Sequence, residues 1–83
     1  MEIEFDPAKD AANRSKHGVS LTLAAEFEFL AIVSDDRFDE PRFRAYGRIG
    51  ETAYVLAFTL RGAVLRAISL RRAHRKEFRR YVP

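Results

Sequence analysis

The chain contains no cysteine, which excludes disulfides and thiolate metal sites and fits a reducing, cytoplasmic setting. No stretch approaches the ~20 apolar residues that a membrane span requires. The opening residues, MEIEFDP, carry acids and no long apolar run, so no signal peptide is expected and no membrane partner either. Repeats, low-complexity tracts, linkers and Gly-rich phosphate loops are missing. The two histidines, His17 and His74, fall in different predicted elements and in no ligand motif. Neither a metal nor another cofactor is therefore expected. A Ser-His-Asp triad has no motif behind it.

Acids are scarce at one end. From Arg61 onward there are eight Arg or Lys and one acid, Glu77, whereas residues 1–60 hold seven bases and eleven acids. The last quarter is thus about +7 and the rest about −4, summing to the net +3. Such asymmetry points to a polyanion, most often nucleic acid. A solvated basic helix is the alternative. The 83 residues, 47% hydrophobic and 12% aromatic, are enough for one small domain, 1–83, with its own core.

The predicted class is α+β: a helical hairpin, then a three- or four-stranded antiparallel meander, then a C-terminal helix. Glu2 to Phe5 alternates and reads as a short edge strand. Asp6-Pro7 starts a helix, with Asp as N-cap and Pro at the first helical position. Its face of Ala8, Ala11, Ala12 and Ser15 is small. Gly18 suits the left-handed C′ position, and Lys16 and His17 complement the helix dipole. Ser20 caps a second predicted helix from Leu21 to about Phe29, with Leu23, Ala24, Phe27 and Leu30 as its stripe. Ala31 to Ser34 reads as a short strand and Asp35 to Pro41 as an acidic loop.

Three strands follow: Phe43–Ile49, Ala53–Arg61 and Val64–Arg71, the last turning into helix at Arg71-Arg72. Aligning their bulky faces places Ile49 opposite Thr52 across Gly50-Glu51, and Leu60 opposite Val64 across a three-residue loop. In that register Ala53 lies between Arg48 and Arg71. One face is apolar and covered by helices. The other presents small residues flanked by Arg44, Tyr46, Arg48, Ser69 and Arg71. The two arginines then straddle a gap of ~10 Å, wide enough for a phosphate and its sugar. Arginines solvated on an open sheet are the alternative.

A cationic face of this kind fits RNA cleavage without metal. The RNA 2′-OH attacks, a base takes its proton, cations stabilise the phosphorane, and an acid protonates the leaving 5′-oxygen. His17 is the proton-transfer candidate, against a purely structural role at the helix end. Lys16, Arg48 and Arg71 are candidates for charge stabilisation. Tyr46 is placed to stack on a base, Arg44 lies beside it, and Arg72, Arg75 and Lys76 are candidates for flanking phosphates.

Several blocks resemble one family. They are Phe5-Asp6-Pro7 with Lys9, Asn13 and Lys16-His17-Gly18-Val19-Ser20; Tyr46-Gly47-Arg48; Thr59-Leu60-Arg61-Gly62; Ile68-Ser69-Leu70-Arg71-Arg72-Ala73; and Glu77 with Tyr81. Together they resemble the BrnT-type toxins of bacterial type II toxin–antitoxin systems over nearly the whole chain. The resemblance implies a RelE-like fold and a metal-independent endoribonuclease that inhibits translation. It implies a cognate ribbon-helix-helix antitoxin, with operator DNA bound only through the toxin–antitoxin complex. Its motif positions carry over to Lys16, His17, Arg48, Arg71 and Arg72. Two departures stand out: Phe5 where the family often has Trp, and Glu26 to Val33 where it commonly has V-F-x-D-P. The competing readings are a non-catalytic nucleic-acid-binding module and a structural partner for an acidic protein.

Overall fold

Asp6 accepts a hydrogen bond from the Ala8 N–H at 2.8 Å and starts helix α1, Pro7–His17, as predicted. Gly18 ends it at φ 75°, its N–H donating to the Arg14 carbonyl at 2.9 Å. Ser20 then caps a 3₁₀ segment, Leu21–Glu26. Asp10 ties the two together, accepting from the Ser20 hydroxyl at 2.9 Å and the Leu21 N–H at 2.7 Å. The expected second α-helix is therefore a shorter 3₁₀ turn. The chain beyond it is drawn into the sheet, because Phe29 and Ile32 belong to a strand that pairs with the next one. Gly47 permits that pairing: a Cβ there would collide with the Glu28 carbonyl oxygen and the Phe27 ring.

A computed structural model describes residues 2–83 of the chain. Its strands are β1 Glu2–Glu4, β2 Glu28–Asp35, β3 Arg42–Ile49, β4 Thr52–Arg61 and β5 Val64–Arg72; helix α2, Arg75–Tyr81, closes the chain. The sheet has five strands in the order β1-β5-β4-β3-β2, with β1 parallel to β5 and the other pairs antiparallel. It is thus mixed, and larger than the antiparallel meander expected from the sequence.

The β3–β4 register agrees with the alternation: Ile49 faces Thr52 and Arg48 faces Ala53. The β4–β5 register differs. Arg61 faces Val64 across a two-residue turn, Gly62-Ala63, with Gly62 at φ 60°. A bulge at Ile68, between the Ala57/Ser69 and Phe58/Ala67 pairs, then shifts the ladder. Arg71 consequently faces Val55 rather than Ala53. The bulge also accounts for Arg66. Past Ile68 the parity flips, so Leu65 and Ala67 turn into the core while Arg66 joins Ser69 and Arg71 on the other face.

The apolar face carries the main core, where Leu21, Ala24 and Phe27 pack on Ala45, Leu56 and Leu70. Helix α2 lies on the opposite face, where Phe78 packs with Tyr46 and Val55. The helices therefore divide between the two faces, contrary to the expectation that all would cover one. The last helix also begins later than expected, because β5 continues through Arg72.

Candidate nucleic-acid interface

Strand β1 pairs with β5 only from Val64 to Arg66, so the rest of the β5 edge needs another partner. Asn13 supplies it. Its amide donates to the Leu70 carbonyl at 2.9 Å, and its side-chain oxygen accepts from the Leu70 N–H at 2.9 Å. The same amide also donates to the Val19 carbonyl at 2.9 Å. Buried at 4% exposure, Asn13 holds α1 against the strand. The end of α1 consequently shares a cleft of about 300 Å³ with β5, lined by Lys9, Asn13, Lys16, His17, Ser69 and Arg71.

The His17 imidazole is held below its ordinary value of 6.5, first by partial burial and then by the charges of Lys16 and Arg71. It is neutral at neutral pH, the form that accepts a proton.

Ser69 and Arg71 also border a second cleft, on the sheet face itself, of about 240 Å³. Ala57 and Ser69 make its floor low, and Arg44 and Asp35 line its far side. The two clefts share Ile68, Ser69 and Arg71 as lining and together form a groove around β5 beyond its pairing with β1. The Arg44 Nε is buried there without a hydrogen-bond partner among the described residues. Asp35 is occupied by Arg37 at 2.7 Å, which brings its carboxyl down to about 2.

Arg71 is not a free cation. Its Nη1 and Nη2 donate to the two carboxylate oxygens of Glu77 at 3.0 and 2.9 Å. Tyr46 donates its hydroxyl to the same carboxylate at 3.1 Å and accepts from Arg44 at 3.0 Å. Arg71 holds the Glu77 carboxyl below the usual range. The chain Arg44–Tyr46–Glu77–Arg71 thus runs under α2 and fixes both arginines at the rim of the groove.

Two site expectations are corrected by this arrangement. Tyr46 is fully buried, with its ring stacked on Tyr81 at 4.5 Å, so it has no face to offer a base. The gap between Arg48 and Arg71 is filled: Phe78 packs over Val55, and the Arg48 guanidinium lies 5.2 Å above the Phe78 ring. The remaining candidates scatter. Arg72 is exposed opposite Tyr54, on the other sheet face, and Arg75 and Lys76 are exposed on the first turn of α2. Lys16, His17, Arg44 and Arg71 do converge on the groove. Asn13 and Glu77 are the working residues that sequence reasoning left without a role. Glu77 was visible as the one acid in a basic stretch.

A family model described as "Ribonuclease toxin, BrnT, of type II toxin-antitoxin system" matches residues 5–77. The chain belongs to this BrnT family. It is also similar to the crystal structure of the Brucella abortus ribonuclease toxin BrnT, with a TM-score of 0.71 and 26% identity over 90% of this chain and 99% of that one. Among curated proteins no match was found. Membership makes this a ribonuclease toxin of a type II system, with an RNA substrate and an antitoxin partner implied. Of the positions carried over from the resemblance, Lys16, His17 and Arg71 line the groove, while Arg48 and Arg72 lie outside it. Among the described residues no three His, Asp or Glu converge to hold a metal ion, and no helix is long and apolar enough to cross a membrane.

Proposed function

We propose that this BrnT-family toxin is an endoribonuclease that threads an RNA strand through the groove around Ser69 and Arg71 and cuts it without metal. The observation that carries this reading is the convergence of Lys16, His17 and Arg71, from opposite ends of the chain, on one cleft. Neutral His17 takes the proton of the RNA 2′-OH as that oxygen attacks the adjacent phosphorus. Lys16 and Arg71 stabilise the charge that builds on the phosphorane. The P–O5′ bond breaks, the 5′-oxygen takes a proton from Lys16, and a 2′,3′-cyclic phosphate remains. Arg44 and Lys9 hold phosphates on either side, and Arg72, Arg75 and Lys76 bind the strand beyond the groove. Loss of RNA in this way halts translation in the cytoplasm.

We further infer that the partner is a ribbon-helix-helix antitoxin and that operator DNA is bound only by the complex.

Purified toxin incubated with RNA in excess EDTA tests the chemistry. Cleavage to 2′,3′-cyclic phosphate ends is expected, with His17→Ala binding RNA in a gel and leaving it intact. RNA that is shifted but uncut by the unaltered protein would instead establish a binding module without chemistry.

A further inference from the structure

The helices leave one end of the apolar sheet face bare. Phe29, Ile32, Phe43, Phe58, Leu60 and Leu65 form a groove of about 240 Å³ with no polar lining. Ile32 is 58% exposed and Leu60 45%. Patches of this kind mark protein contacts rather than solvated surface. The groove adjoins β2, an eight-residue strand at the edge of the sheet that has no neighbour on its outer side among the described residues. An extended edge bearing exposed Leu30 and Ile32 is a template for another strand.

Charge selects the occupant. Between Glu26 and Glu40 there are six acids, Glu26, Glu28, Asp35, Asp36, Asp39 and Glu40, against one base, Arg37. Asp35 and Glu40 are paired with arginines. Glu26 and Glu28 stand exposed at one end of β2, and Asp36 and Asp39 beyond the other. An RNA backbone is repelled from such an edge, and a second copy of the edge is repelled as well. An apolar segment with flanking Lys or Arg fits it.

We infer that β2 and the Phe29–Leu65 groove form the docking surface for the antitoxin, which adds an extended apolar segment with basic flanks to the sheet. The Phe29–Leu65 groove lies on the sheet face opposite the RNA groove, which β2 reaches only at Asp35, and the inference rests on family membership, not on the proposed cleavage chemistry.

The test uses the full toxin and its purified antitoxin, titrated calorimetrically. Ile32→Asp and Leu60→Asp, each checked for an unchanged circular dichroism spectrum, are expected to weaken binding by roughly 10- to 100-fold. Glu28→Lys with Asp36→Lys is expected to weaken it by about 10-fold at low salt and less at high salt. Arg79→Ala, at an exposed position on α2, leaves affinity unchanged. In the unaltered complex, backbone amides of 30–34 gain hydrogen-exchange protection. Unchanged affinity in both Asp variants, or protection confined to the RNA groove, overturns the assignment. So does sedimentation showing that Ile32→Asp dissociates a toxin dimer while antitoxin affinity is kept.

Discussion

Glu77 grips Arg71 through both carboxylate oxygens, at 3.0 and 2.9 Å, and thereby joins helix α2 to the strand that carries the proposed RNA groove. Both side chains are less than a third exposed, so the pair is only partly screened by water. Glu77→Gln keeps the shape and loses the charge. It is expected to lower unfolding free energy by ~1–3 kcal/mol at pH 7, read from urea midpoints. The Glu77 carboxyl lies below its ordinary value in the fold. Its contribution is therefore full above the unfolded carboxylate value and is lost as pH falls through the folded one. The difference between Glu77→Gln and the unaltered chain should shrink accordingly at acid pH.

Tyr46 serves that same network, so its hydroxyl and its ring separate two accounts. Tyr46→Phe keeps the stack on Tyr81 and removes the bonds to Glu77 and Arg44. A stability loss of ~1 kcal/mol is expected, with RNA affinity changed less than about 3-fold, that is by less than ~0.7 kcal/mol. A base-stacking role would instead show as a large affinity loss when Tyr46→Leu is compared by gel shift.

Asn13 stands in for a missing strand at Leu70. Asn13→Ala leaves the buried Leu70 N–H and C=O without partners, and ~2–4 kcal/mol of stability should be lost. Amides at 69–71 should also exchange faster. Asn13→Asp should be little better, because a carboxylate offers no donor to the Leu70 and Val19 carbonyls.

His17 is held below 6.5 by burial and by neighbouring cations. With His17 as the base, cleavage stays on a plateau at neutral pH, and its acid-side fall comes as pH drops below that ordinary value. His17→Ala should slow single-turnover cleavage by ~10²–10⁴-fold, with binding retained.

Much of this arrangement was legible in the residues. The α1 boundaries follow from Asp6-Pro7 and Gly18, whose chemistry is local. The β3–β4 register follows because alternation is unbroken on both strands across Gly50-Glu51. The β4–β5 register was hidden by the bulge at Ile68, whose one trace is Arg66 out of phase. The course of α2 was masked by its charge. Phe78, Tyr81 and Val82 nevertheless have helical spacing, and they bury Tyr46 and close the Arg48–Arg71 gap. That closure moves the groove to the α1 side of Arg71, where Asn13 places His17. No local pattern discloses a side chain replacing a strand.

The site itself is tested most directly by NMR of the toxin bound to a 2′-O-methyl RNA oligonucleotide, which cannot supply the attacking hydroxyl. The largest shift changes are predicted at Lys16, His17, Ser69, Arg71 and Arg44. Changes centred on Arg48 and Arg72, or on β2 and Leu60, with those five residues silent, would contradict the account.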